Sequence, residues 1–159
     1  MDTLTVWDRW YSAFEACAQD EQWDRLAPLL TEDARYSVFG VSFACTLAGR
    51  EALVSGFHRS FAGFDRKFDK RTHIVAGSRV TEPGFVEATV WGIYERQGLP
   101  ALAFPARGIW IIEGDRVSTM IDIYDETLRE TQAALTWIET HGEALGGLDP
   151  SYAPSPASL

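Results

Sequence analysis

The sequence predicts an α+β domain, with helices first and an antiparallel sheet after them. Two observations carry the prediction. Up to about residue 64, apolar side chains recur at three- and four-residue steps, the period of one helical face. From residue 68 the period falls to two, over four segments separated by "EPG", "RQGLP" and "EGD". At 159 residues, with 46% hydrophobic and 13% aromatic content, the chain has material for one sizeable core.

Each element follows from its own pattern. Trp7, Trp10, Tyr11, Phe14 and Cys17 share a stripe that predicts a helix over 4–19. Trp23, Leu26 and Leu30 predict a second over 22–30, which Pro28 bends unless it starts late. "ARYSVF" at 34–39 reads as a short strand and "VSFACTLAG" as the loop after it. "GREALVSGFHRSFAGF" predicts a third helix that packs Leu53, Phe57 and Phe61 and stops near Gly63. Consecutive antiparallel strands are expected over 69–80, 85–95, 101–113 and 116–124. A last helix is expected over 126–141, along Leu128, Leu135 and Ile138. Residues 1–145 form a single domain in this reading, and the Pro/Ser-rich 146–159 form a mobile tail.

Both alternating sets of the last three strands are largely apolar, with Val86, Ala88, Val90 and Tyr94 against Trp91 and Ile93, and Trp110 and Ile112 against Ile109 and Ile111. A half-solvated sheet would alternate with polar residues, so both faces are expected to be covered. The helices cover one. The other is expected to pair with a second copy in a homodimer.

A net charge of −9 and a pI near 4.7 exclude a polyanionic partner such as nucleic acid, whose phosphates are held by Lys and Arg surfaces. The basic cluster "DRKFDKR" at 65–71 is part acidic and reads as a solvated turn. No basic, apolar leader and no membrane-length apolar run is present, so no membrane partner and a cytoplasmic location are expected. Cys17 and Cys45 match no disulfide or zinc spacing, and no His/Asp/Glu cluster has metal-ligand spacing. Neither a metal nor another cofactor is expected.

Three passages, "WDRLAPLLTEDARYSV", "LAGREALVSGF" and "IIEGDRVSTMIDIYD", occur in an order and spacing that resemble the SnoaL-like branch of the nuclear-transport-factor-2-like (NTF2-like) superfamily, over about residues 4–140. The resemblance implies a cone in which the curved antiparallel sheet wraps around the N-terminal helices and an apolar pocket opens between them. It also implies a small hydrophobic ligand, cyclic or polyketide-like. Relatives include ketosteroid isomerases, polyketide cyclases, limonene-epoxide hydrolases, scytalone dehydratases and plain binding domains, so the fold alone does not select a reaction.

Carried over residue by residue, the isomerase Tyr, oxyanion-hole Asp and general-base Asp fall on Trp10, Gly108 and Val38, and all three groups are absent. The Arg-x-Asp pair of the epoxide hydrolases has no match in "ATVWGIY". Their second Asp, and the acid/base Asp of the SnoaL-like cyclases, match Asp122. The dehydratase His is matched more loosely by His73 in "KRTHIVAG".

Asp122 lies between Ile121 and Ile123 and shares strand parity with Met120 and Tyr124. If that parity faces the cone, as the resemblance implies, loss of solvent lifts its pKa toward neutrality, which suits an acid/base group. The plainer alternatives are a solvated carboxylate at a fraying strand edge and an ion pair with an Arg such as Arg107, although Arg107 has the opposite parity to inward Gly108 and is expected on the outer face. Asp125 follows at the strand-to-helix junction and reads as the helix cap. Histidine as a residue type can move a proton or position a carbonyl, so His73 joins Asp122 as the catalytic candidate. Trp10, Phe14, Trp23, Tyr36, Val90, Tyr94 and Trp110 are the candidates for the substrate-binding wall. Aromatics at such spacings are also ordinary core, and Tyr36 and Tyr94 stand out because a buried phenol needs a partner.

The expectation is a cofactor-independent cyclase, isomerase or dehydratase with Asp122 as general acid/base. The alternatives are a non-catalytic small-molecule-binding or dimerisation domain, and an epoxide-hydrolase-like enzyme that adds water.

Overall fold

The computed structural model describes residues 2–154. Helix α1, Thr3–Asp20, starts at Asp2, whose side chain accepts the Thr5 N–H, and ends on Glu21 in the left-handed conformation. It buries Val6, Trp7, Trp10 and Cys17, the stripe read from the sequence. The second expected helix is a 3-10 helix, Trp23–Leu29, with Pro28 inside it. Proline's missing N–H and the short run favour the tighter winding.

Strand β1, Leu30–Phe39, therefore begins earlier than 34. Part of the expected loop is strand β2, Cys45–Ala48, paired antiparallel to β1. Helix α2, Arg50–Gly63, follows, and then β3 (Lys70–Glu82), β4 (Phe85–Glu95), β5 (Leu102–Glu113) and β6 (Arg116–Ile123). The six strands lie in the order β2-β1-β6-β5-β4-β3, the last four as an antiparallel meander and β1 parallel to β6.

Helix α3, Arg129–His141, begins later than 126. Its N-cap position is Leu128, and Asp125 is not its cap. Instead the Asp125 carboxylate accepts the backbone N–H and hydroxyl of Thr127 at 2.9 and 2.6 Å, closing the turn that leads out of β6. The local bonding of a short acidic side chain is satisfied one turn before the helix starts.

One core packs α1, the 3-10 helix and α2 against Val86, Ala88, Trp110, Val117 and Met120 of the sheet. A second cluster of Phe64, Phe68, Tyr94, Leu102 and Ala134 lies beneath α3. On the outer face of the sheet Ile74 is 49% exposed and Phe39 50% exposed. Arg107 lies on that face, where it and Arg79 hold Glu87.

Of the expected tail, residues 155–159 lie outside the described residues. The part described is not free. Gly146 and Gly147, with φ of 75° and 85°, turn the chain back onto α2. There the Asp149 N–H donates to the Gly63 carbonyl at 3.0 Å and Ser60 Oγ to the Pro150 carbonyl at 2.9 Å. Arg59 donates to the Tyr152 carbonyl. Gly63 permits the contact, since a Cβ there would stand 2.2 Å from the Asp149 oxygen. Among the described residues no helix is long and apolar enough to cross a membrane.

Candidate functional site

A cavity of about 110 Å³ opens between the helices and the concave face of the sheet. That is on the scale of an apolar cavity of about 150 Å³ that accepts a benzene ring. Strand parity decides what faces it. In β4 and β5 the even-numbered residues point inward, placing Val90, Tyr94 and Trp110 on its wall, and β6 adds Asp122. From β3 the odd-numbered Arg71 and His73 reach it, paired with Tyr94 and Gly92. Helix α1 brings Trp10 and Phe14, the 3-10 helix Trp23, and β1 Tyr36. All nine residues singled out from the sequence thus border one cavity.

Asp122 is half-buried on this wall, and the Tyr36 hydroxyl donates to its Oδ2 at 2.6 Å. Burial pushes the carboxyl up to about 6, against the hydrogen bond from Tyr36 and the proximity of His73, both of which favour the ionised form. Its neighbour across the sheet is Gly108. A Cβ on Gly108 would meet the Trp110 ring at 2.2 Å, so glycine there makes room for the indole over the strand. Arg107 is not its partner.

Toward the β3 edge a second polar group forms around Arg71. The guanidinium donates from Nε to Asp65 Oδ1 at 2.6 Å, and from Nη1 and Nη2 to the two Glu15 oxygens at 2.8 and 3.2 Å. His73 Nδ1 lies 3.1 Å from Glu15 Oε1, and its Nε2 lies 3.3 Å from the Tyr94 hydroxyl. That hydroxyl is in turn 3.4 Å from Asp65 Oδ1. Nδ1 is also 3.0 Å from Arg71 Nη2, but a guanidinium accepts nothing, so an Nδ1–H proton belongs to Glu15.

The two acids of this cluster behave oppositely. Burial disfavours the Glu15 charge, but His73 and Arg71 outweigh it and hold the carboxyl down to about 2. Asp65 is raised, because burial outweighs the attraction of Arg71 and His73. Burial also pushes the Tyr36, Tyr94 and Tyr124 phenols well above their usual range, which keeps them neutral donors.

Glu15, Asp65, Arg71, Tyr124 and Tyr152 were not among the expected site residues. Glu15 follows Tyr11 by one helical turn, and Arg71 shares parity with His73, so a signal existed for both. Asp65 and Arg71 belong to the cluster read as a solvated turn. In fact their side chains are only 14% and 12% exposed, held together by the Arg71 Nε–Asp65 Oδ1 hydrogen bond next to Glu15. Nothing local marks Tyr152, whose ring stands edge-on to Tyr36 with centroids 4.9 Å apart. The indole N–H groups of Trp10, Trp23 and Trp110 have no hydrogen-bond partner among the described residues, leaving unused donors in the wall. No group of three or more His, Cys, Asp or Glu among the described residues is arranged to hold a metal ion.

No protein-family profile matches the chain, and no curated protein matches its sequence. Solved structures do. An NTF2-like protein from Anabaena variabilis superposes with a TM-score of 0.60 at 13% identity, over 78% of this chain and 90% of that one. The chain has the NTF2-like fold. An LEH-like epoxide hydrolase from M. tuberculosis shares it at a TM-score of 0.59 and 16% identity, over 86% of this chain and 96% of that one. A protein of ketosteroid-isomerase-like fold from Catenulispora acidiphila, in complex with trimethylamine, gives 0.57 and 17%, over 74% and 85%. At such identities the likeness is one of NTF2-like architecture, and the chemistry must be argued from the cavity.

Proposed function

We propose that this chain is a cofactor-independent acid/base enzyme of SnoaL-like type, a cyclase, isomerase or dehydratase acting on a small hydrophobic, ring-containing or polyketide-like carbonyl compound. The observation that carries the reading is Asp122, a carboxyl raised to about 6 on the wall of an aromatic cavity. Near neutral pH it is ionised yet basic enough to accept a proton.

In this reading Asp122 takes the proton from a carbon next to the substrate carbonyl. The carbonyl oxygen, becoming an enolate, accepts a hydrogen bond from the neutral Tyr94 phenol, whose single proton turns from Asp65 to the substrate. Glu15 orients His73, as an acid commonly orients an imidazole. The proton now on Asp122 is then returned in one of three ways: to another carbon of the enolate, to a β-hydroxyl that leaves as water, or to the oxygen of a second carbonyl that the enolate carbon attacks. The aromatic wall excludes water and holds the ring.

The test is exchange of α-protons for deuterium in cyclic ketones, followed by NMR. Asp122→Asn keeps the shape and removes the base, and should slow exchange by about 10²- to 10⁴-fold. Exchange at the wild-type rate in that variant would end the proposal.

A second reading is favoured by Asp65, the other carboxyl raised by burial on the same cavity. With Asp122 drawing a proton from water and Asp65 giving one to an epoxide oxygen, the pair suits epoxide opening. Recovery of intact epoxide after prolonged incubation would dismiss it. The proposal also includes a homodimer through the outer face of the sheet, supported by the exposed Ile74 and Phe39.

A further inference from the structure

A second cavity, of about 60 Å³, lies beneath α3 and the returning C-terminal segment. Its roof is Thr131, Ala134, Leu135 and Ile138 of α3 with Pro150, and its floor includes Phe43 and Phe64. Ser60, Asp65, Tyr94, Phe104, Tyr124 and Tyr152 line both cavities and so stand between the two. Four of the six are aromatic rings standing on edge or stacked. Tyr94 and Phe104 stack at 5.7 Å and 13°, and Tyr124 meets Phe104 at 5.9 Å and 53°. Tyr124 immediately follows β6. Tyr152 comes from the segment pinned to α2. The partition is thus made of side chains, in part from outside the strand ladder.

The two chambers differ in chemistry. The first carries Asp122, His73 and Arg71, which suit a polar reacting group. The second is aliphatic and aromatic apart from Thr131 and the shared Ser60 and Asp65. Thr131 is 3% exposed, and its hydroxyl has no hydrogen-bond partner among the described residues. An aliphatic group leaves that hydroxyl as it is, so the apolar lining, and not Thr131, is what argues for the ligand.

We propose that the second cavity is a subsite for an apolar arm of the substrate, so that the ligand is two-part: a carbonyl-bearing ring beside Asp122 and a short aliphatic chain under α3, passing between Tyr124 and Tyr152. This rests on the first cavity binding the carbonyl part, and it defines the substrate class more narrowly than a ring alone.

The experiment titrates the full-length protein with acetophenone, butyrophenone and hexanophenone and reads quenching of intrinsic tryptophan fluorescence, since Trp10, Trp23 and Trp110 line the first cavity. Each methylene that enters an apolar subsite can tighten binding by up to about fourfold. Hexanophenone should therefore bind at least about tenfold more tightly than acetophenone. Leu135→Trp, from a half-buried position on α3, should flatten this gain to less than about twofold. Ile138→Phe is a second filling variant, and the thermal transition of each verifies folding. Acetophenone binding with no gain for the longer ketones overturns the arm subsite while leaving the acid/base reading intact. A gain that persists in both folded variants overturns it as well. Loss of the exchange chemistry's dependence on Asp122, with the chain-length gain retained, removes the acid/base reading and keeps the subsite.

Discussion

The Tyr36 hydroxyl donates to Asp122 Oδ2 at 2.6 Å, between residues 86 positions apart. The bond exists because β1 runs parallel to β6, with Val38 beside Asp122 and Tyr36 beside Met120 on the same inward face. The phenol therefore approaches the carboxylate diagonally, from the next row of the sheet. A neutral phenol in this position steadies the ionised carboxylate while burial pulls the other way.

Tyr36→Phe should consequently raise the Asp122 pKa. A hydrogen bond to a charged group contributes about 1.5–3 kcal/mol, equivalent to roughly one to two pH units. The acid limb of the pH–rate profile should move upward by that amount, with the alkaline limb in place. An unmoved acid limb would show that Tyr36 does not tune the base.

Asp122 should make stability depend on pH in a definite direction. Its folded pKa, about 6, lies above the usual 3.8, so the folded state holds the proton more tightly. Stability then falls as pH rises from about 4 to 6 and stays lowered above that. Asp122→Asn removes the cost of the buried charge and should raise the thermal midpoint at pH 8, by the equivalent of about 1–3 kcal/mol. It should raise it little at pH 4. Equal shifts at both pH values would refute the linkage.

Glu15 has the opposite sign. Held down to about 2 from the usual 4.5, it contributes stability above pH 4.5 that is lost as pH falls toward 2. Glu15→Gln leaves the Arg71 charge, 12% exposed, with Asp65 alone and should cost about 3 kcal/mol at pH 7. The loss should shrink in acid. Chemical denaturation at pH 7 and pH 3 measures both values.

The outer face offers a different test. Ile74, Trp91 and Pro105 lie side by side across β3, β4 and β5, and Ile109 faces Ile121 across β5 and β6. If this surface joins two copies, Ile109→Lys should give a monomer by light scattering, with unchanged circular dichroism. A wild-type protein that is monomeric at high concentration would eliminate the homodimer.

Much of the fold was legible because its signals are local. The stripe of Trp7, Trp10, Phe14 and Cys17 and the alternation in "FVEATVWGIY" need only neighbouring residues to declare helix and strand. The misread junctions are those where short-range bonding competes with period, at Pro28 and at the Asp125–Thr127 turn. The 65–71 segment was misread for another reason, since its charges look solvated until Glu15 and His73 are brought alongside.

The sequence by itself determined that Asp122 shares a face with Met120 and that His73 shares one with Arg71, because strand parity is a property of the backbone alone. It also marked Trp10, Phe14, Trp23, Tyr36, Tyr94 and Trp110 as wall candidates, without separating wall from core. Only the tertiary structure decided that Tyr36 meets Asp122, that Glu15 and Asp65 close around Arg71, and that Tyr152 returns to the wall. Those partners lie far apart along the chain, and which strands and helices become neighbours depends on the whole core being buried at once.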